Sequence, residues 1–190
     1  MDLDEITHIL VSVVVLSAVF AYANGARSFT PPGFSTLFVE ILLTVGAGFV
    51  LHELAHKFLA QSYGAHARYQ AWPLGLGLSM VLALIRSPVI FAAPGAVYIY
   101  GRNITVEANG KISLVGPLTN AALAVIFLAL AAFAPSGALR SVGALGASVN
   151  AFLGLFNMIP FYPLDGSKVW AWNKGAWIAT VVGLILLGGL

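Results

Sequence analysis

The chain has 190 residues, of which 59% are hydrophobic and only 8% are charged, and its formal net charge is +2. Soluble domains average about 25% charged residues, so this composition excludes an ordinary water-soluble domain and favours a protein embedded in a lipid bilayer. The small and scattered positive charge gives no reason to expect a nucleic-acid partner. Because the chain has no cysteine, disulfides and thiol catalysis are excluded, and any metal must be held by His, Asp, Glu or Asn.

Apolar segments recur along the chain with lengths near the ~20 residues that a membrane-spanning helix requires. The first predicted span is 6–23, and the second begins near residue 34 and ends at about residue 63, before a glycine that can terminate the helix. Three further spans are predicted at 117–134, 138–159 and 172–190. The predicted fold is therefore an all-α polytopic membrane protein with five to six transmembrane helices.

The region between the second and third spans has a different character. Segment 74–85 is apolar but only twelve residues long, which suits a re-entrant or interfacial segment better than a span. Segment 95–100 alternates weakly like a strand. Segment 104–115 predicts a β-hairpin whose three-residue Ala-Asn-Gly loop pairs Glu107 with Lys111 and separates polar from apolar faces. We therefore expect a small membrane-associated β-hairpin or sheet here.

The second span contains the sequence His-Glu-x-x-His at residues 52–56. On a helix, His52 and His56 lie one turn apart on the same face, so both imidazoles can bind one zinc ion. Glu53 points to a neighbouring face, where it can take a proton from a water molecule without occupying the metal. The structural alternative is a buried polar patch, but three ionisable groups at membrane depth are costly without a function.

A third metal ligand can be sought among only seven acidic residues. Three of them precede the first span, Glu53 is needed as the base, and Glu107 is matched to a lysine of the predicted hairpin. Glu40 lies twelve residues before His52, about 18 Å along the helix. Asp165 remains, in a proline-interrupted stretch within an apolar context. It could instead cap the helix that follows, and the two roles are compatible.

The 52–56 motif, together with Asn-x-x-Pro-x-x-Pro-Leu-Asp-Gly at 157–166, resembles the site-2 protease family of intramembrane zinc metalloproteases. Asn150 and the Gly-Pro-Leu sequence at 116–118 also match this family, and the similarity extends from about residue 42 to 168. The resemblance implies one Zn²⁺ bound by the two histidines and Asp165, with Glu53 as general base. It also implies that Asn157 helps to bind the substrate or its oxyanion.

The resemblance further implies cleavage of peptide bonds within or near transmembrane segments of other proteins, often regulatory ones. The expected partners are a transmembrane protein substrate and the lipid bilayer, and the oligomeric state stays open. We expect a single membrane-embedded domain over 1–190 with its core at 34–168, and without a PDZ or CBS domain. The segment 95–115 would either offer a strand edge to an extended substrate or form a purely structural hairpin.

Two other functions fit a polar site at membrane depth: a multi-pass metal-binding transporter and a catalytically inactive scaffold that binds helices. A transport site does not need an acid beside its first ligand, and a scaffold does not need every catalytic position filled. Asn120 and Asn150 either line a water channel to the site or form hydrogen bonds between helices.

The positions of the basic residues predict the orientation in the cell membrane. On the active-site side, the predicted topology places Lys57, Arg68, Arg102, Lys111, Lys168 and Lys174. Arg27 and Arg140 are on the opposite side. The positive-inside rule then makes the active-site side cytoplasmic, with the N-terminus inside and the C-terminus outside.

Overall fold

The computed structural model describes residues 1–23, 33–87, 94–101, 104–135 and 137–189. Arg27 and Arg102, which carry part of the predicted orientation, lie outside these residues. The described elements are, in chain order, α1 Leu3–Ala21, α2 Gly33–Ile41, a π-helical segment Leu42–Gly46, α3 Ala47–Ser62, β1 His66–Ala71, α4 Pro73–Leu84, β2 Gly95–Tyr100, α5 Val106–Phe133, α6 Ala138–Asn157, α7 Asp165–Trp172 and α8 Lys174–Gly188.

Four helical stretches within the described residues are long and apolar enough to cross a membrane. They are α1, the continuous helix Gly33–Ser62, α5 and α6. Helices α4 and α8 are also apolar but have twelve and fifteen residues, which is shorter than a simple span requires. The structure therefore confirms a mainly helical membrane protein with four candidate spans, and a fifth and sixth span stay predictions.

The chain divides into two compact units, the first comprising Met1–Val50 and Arg68–Tyr98. In this unit the start of α1 is attached to β1. The buried carboxylate of Glu5 accepts a hydrogen bond from the Tyr69 N–H at 2.9 Å, and the Tyr69 hydroxyl donates to Ser12 at 2.8 Å. Strands β1 and β2 form the two-stranded antiparallel sheet. This sheet confirms the strand predicted at 95–100.

The second unit comprises Leu51–Ala67 and Ile99–Leu190. Within it, α5 packs against α6, α7 and α8. Small residues on α6 allow close contact with α5, because a Cβ on Gly143 would lie 2.5 Å from the backbone nitrogen of Ala131. At the end of α6, Met158 forms a buried apolar cluster with Val169 of α7 and Leu184 of α8. This unit contains all of the residues predicted to form the metal site.

The hairpin predicted at 104–115 is wrong, because residues 106–115 form the first turns of α5. Thr105 caps this helix, accepting a hydrogen bond from the Ala108 N–H at 3.1 Å. Glu107 and Lys111 do pair, at 2.6 Å, but as neighbours one helical turn apart. The Asn-Gly sequence lies inside the helix, where Gly110 packs directly against Trp172 and leaves no room for a Cβ. Packing and capping thus override the local turn preference.

The partner of β2 is therefore β1, which the sequence did not predict as a strand. Helix α5 begins eleven residues earlier than the predicted span and contains Pro117 within it. The segment 95–115 was expected to offer a strand edge to the substrate, and β2 is the strand that the structure describes within it.

Candidate metal centre

Helix α3 presents His52 and His56 on one face, as their four-residue spacing predicts. Both residues are buried, with 5% and 7% of their surface exposed. Their ring centroids lie 4.6 Å apart, and the two Nε2 atoms are separated by 2.9 Å. The same ring atom of each histidine therefore points to one common position.

Asp165 reaches this position from the start of α7. Its Oδ2 lies 3.2 Å from His52 Nε2 and 3.0 Å from His56 Nε2, and the residue is 9% exposed. The next residue, Gly166, packs against the backbone of Met158 so closely that a Cβ would overlap the Met158 carbonyl. This close packing holds the beginning of α7, and with it the carboxylate, against the end of α6.

Asp165 does not take its alternative role as the N-cap of α7 in the part of the chain that the structure describes. The N-cap position of α7 is Leu164, whose side chain forms no capping hydrogen bond, and Asp165 is the first helical residue. Its second oxygen, Oδ1, faces Lys168 Nζ at 3.5 Å. The carboxylate is thus shared between the two histidines and a lysine.

The Nδ1 atoms of both histidines are engaged by α5. His56 Nδ1 donates to the carbonyl of Ile112 at 2.7 Å, and His52 Nδ1 donates to Asn120 Oδ1 at 2.6 Å. A carbonyl oxygen can only accept, so the hydrogen of a neutral His56 lies on Nδ1 and its Nε2 has a free lone pair. The tautomer required for binding a metal through Nε2 is therefore fixed by a neighbouring helix.

Gly116 occupies the α5 position midway between Ile112 and Asn120, on the same helix face. A Cβ at Gly116 would lie 2.5 Å from His56 Nε2 and 2.6 Å from His52 Nε2. The backbone of α5 can therefore approach the two metal-facing nitrogens only because residue 116 lacks a side chain.

The donor atoms at this position fit a metal ion. Three atoms with lone pairs face one another, and ligand atoms of His52, His56 and Asp165 all lie within 4.8 Å of one another. Ligands at 2.0–2.1 Å from a tetrahedral zinc are separated by about 3.3 Å, close to the observed 2.9–3.2 Å. A cation at the centre would remove the repulsion between these lone pairs.

The charge of Asp165 also suits a cation. Its Oδ1 faces Lys168 Nζ at 3.5 Å, and a nearby cation favours the ionised form of a carboxylate. An ionised Asp165 presents only acceptor oxygens, so it offers an anionic oxygen at the position that the two Nε2 lone pairs share. Two neutral nitrogens and one anionic oxygen form a donor set that zinc accepts in proteins.

The roles of the other two predicted site residues, Glu53 and Asn157, stay predictions. Glu53 is half-buried on α3, directly after His52. Asn157 is the last residue of α6, and its Nδ2 donates to the carbonyl of Leu153 at 2.9 Å.

Within the second unit, Asn120 and Asn150 show one of the two roles predicted for them. Both are fully buried, and Asn120 Nδ2 donates to Asn150 Oδ1 at 3.0 Å, so the hydrogen bond between helices is confirmed. The contact of Asn120 with His52 was not predicted. A lone asparagine in an apolar helix indicates that it has a polar partner, but it does not indicate which residue that partner is.

These features define a class of protein: a polytopic membrane protein with a buried His-His-Asp centre that can hold a metal. No family model matches the chain, and no solved structure matches it. A curated protein of Methanocaldococcus jannaschii, "Putative zinc metalloprotease MJ0611", is 44% identical over 186 residues, which cover 97% of this chain and 91% of that protein. The chain therefore belongs to the zinc metalloprotease family of this archaeal protein.

Two more distant relatives come from Mycobacterium tuberculosis. "Putative zinc metalloprotease Rip2" is 28% identical over 176 residues, which span 83% of this chain and 65% of that protein. "Putative zinc metalloprotease Rip3" is 29% identical over 127 residues, which span 65% of this chain and 28% of that protein. The name of a zinc metalloprotease thus recurs in relatives of quite different length.

Proposed function

We propose that this chain is an intramembrane zinc metalloprotease of the site-2 protease type, which hydrolyses peptide bonds within or near transmembrane segments of other membrane proteins. The observation that carries the proposal is the convergence of His52 Nε2, His56 Nε2 and Asp165 Oδ2 within 3.2 Å of one another. The family membership supports the zinc and the protease activity. The long apolar helix that contains the two histidines supports the intramembrane substrate.

The depth follows from the helix that contains the motif. Ten residues separate His52 from the end of the continuous helix at Ser62, which corresponds to about 15 Å of helix rise. The hydrocarbon core of a bilayer is about 30 Å thick. A helix that crosses it would therefore hold the site near the middle, where the peptide bonds of a partner's membrane segment are within reach.

The chemistry assigns a separate task to each residue. His52, His56 and Asp165 hold one zinc ion, which when bound activates water and polarises the scissile carbonyl. Glu53, beside the ligands but not among them, takes the proton of the attacking water and delivers it to the leaving amine. The Asn157 amide can donate to the substrate carbonyl oxygen if it turns from Leu153.

The test uses the full chain reconstituted in liposomes with a fluorescently labelled transmembrane peptide. Glu53→Gln should retain wild-type zinc content and lose cleavage by about 10²–10⁴-fold, the usual contribution of a general base. Glu40→Gln is the matched control, because Glu40 is also half-buried on the same continuous helix, and it should cleave normally. Two results would overturn the proposal: purified wild-type protein that contains no zinc, or near-normal cleavage by Glu53→Gln.

A further inference from the structure

A chain of hydrogen bonds leads from His52 across α5 to the backbone of α6. His52 Nδ1 donates to Asn120 Oδ1 at 2.6 Å, Asn120 Nδ2 donates to Asn150 Oδ1 at 3.0 Å, and Asn150 Nδ2 donates to the Gly146 carbonyl at 2.9 Å. Both asparagines are completely buried. Three helices therefore contribute to the placement of one imidazole.

The direction of every bond in this chain follows from its last member. The Gly146 carbonyl can only accept, so the amide group of Asn150 must direct Nδ2 towards it and Oδ1 towards Asn120. Asn120 must then direct its own Nδ2 towards Asn150, which leaves its Oδ1 facing His52. The hydrogen of a neutral His52 consequently lies on Nδ1, and the lone pair of Nε2 faces the metal position.

The shape of the Asn120 amide does not by itself determine this outcome. An asparagine amide has nearly the same shape when it is rotated by half a turn, but it then presents hydrogens where it presented oxygen. With Nδ2 facing the ring, His52 Nδ1 would have to accept, and the hydrogen would move to Nε2, which then could not bind a metal. His56 is free of this ambiguity, because its partner is a backbone carbonyl.

We infer that Asn120 and Asn150 are positioning residues for the metal, and that Asn150 selects the metal-binding tautomer of His52 by fixing the orientation of the Asn120 amide. The inference rests on the proposed function, since it takes the bound metal to be zinc. Removing an outer partner of a metal-ligating histidine commonly weakens metal binding by about 10- to 100-fold. We expect this loss from a change at Asn150, one hydrogen bond further from the metal than Asn120.

The test measures zinc affinity of the purified full chain in detergent by competition with a chelator. Asn150→Leu removes the acceptor at similar volume and should weaken zinc binding by about 10- to 100-fold. Asn150→Asp should remain within a few-fold of wild type. In this buried position the neutral acid is favoured, and it can donate its O–H to the Gly146 carbonyl while accepting from Asn120. Thr119→Val is the control, because it removes a neighbouring hydroxyl that donates to the Val115 carbonyl of its own helix.

A double substitution separates the tautomer effect from packing. An acid at position 120 faces the His52 N–H and lies beside the bound zinc, which favours its ionised form. Such a carboxylate presents an oxygen to His52 in either orientation, so in an Asn120→Asp background the change Asn150→Leu should leave zinc affinity unaltered. Equal zinc affinity of Asn150→Leu and wild type would overturn the inference, as would equal losses in Asn150→Leu and Asn150→Asp. If Asn150→Leu does not fold, Asn150→Ala carries the same expectation. Failure of the wild type to bind zinc would refute the proposed function instead.

Discussion

The contact between α5 and the metal site gives a prediction that can be worked out from distances. In Gly116→Ala, the new Cβ would lie 2.5 Å from His56 Nε2 and 2.6 Å from His52 Nε2. An ordinary contact begins near 3.4 Å, so the rings or the helix must yield by about 0.9 Å. Both rings are tied through Nδ1 to the same helix that carries the new methyl group. They cannot retreat and keep those hydrogen bonds.

The cost of this crowding should appear in metal binding. Inserting one methyl group into a closely packed site typically costs 1–3 kcal/mol. Without metal the rings can turn away at the expense of a hydrogen bond, but with metal they are held at both nitrogens. If the strain falls on the metal-bound state alone, the zinc affinity of Gly116→Ala should drop by about 5- to 150-fold.

The assay is the same chelator competition, with Gly183→Ala as the matched control. Gly183 lies within α8, and a Cβ there meets no atom within 4 Å, so its zinc affinity should equal that of the wild type. Thermal unfolding without metal shows whether each variant is folded. Wild-type zinc affinity in a folded Gly116→Ala protein would show that the α5 backbone does not lie against the two Nε2 atoms.

Two other predictions concern the third ligand and the orientation. Asp165→Ala and Asp165→Asn should both lower zinc affinity by more than the roughly 10- to 100-fold typical of outer partners; a fully metallated and active Asp165→Asn protein would mean that the third ligand lies elsewhere. Reporter fusions after Gly64 should be cytoplasmic and those after Arg140 should be outside, since the basic residues favour a cytoplasmic active-site side. A cytoplasmic reporter at residue 140 would reverse this orientation.

The two histidines and Asp165 could be predicted from the sequence for different reasons. The histidines depend only on helix periodicity, because residues four apart share a face wherever the helix lies. Asp165 is 109 residues from His56, so no local pattern connects them. It could be found because acidic residues are few and each of the others could be assigned elsewhere. In a chain with ordinary charge content, the same elimination would have left many candidates.

The partners of the histidines could not be predicted in this way. His56 donates to the carbonyl of Ile112, and every residue has a carbonyl, so the sequence carries no signal for it. Asn120 was recognised as a buried polar group, but its choice between a channel, another helix and a histidine depends on the packing of three helices. Such contacts are decided by tertiary structure rather than by local preference.

The incorrect hairpin had a further consequence, because it divided the helix that completes the site. Ile112, Gly116 and Asn120 are spaced four residues apart and meet His56, both histidines and His52 respectively. This order shows that α5 runs antiparallel to the histidine helix. The spacing is visible in the sequence only if residues 106–133 are taken as one helix, and the Asn-Gly turn signal predicts a break before Gly116.

Pro117 favours the same break, since proline is usual in the first turn of a helix. In a membrane protein the interior position is also tolerated, because the surrounding helices can satisfy the backbone that proline leaves unpaired. Helix α5 therefore requires glycine at position 116 for clearance beside the two histidines, and it tolerates Pro117 next to it.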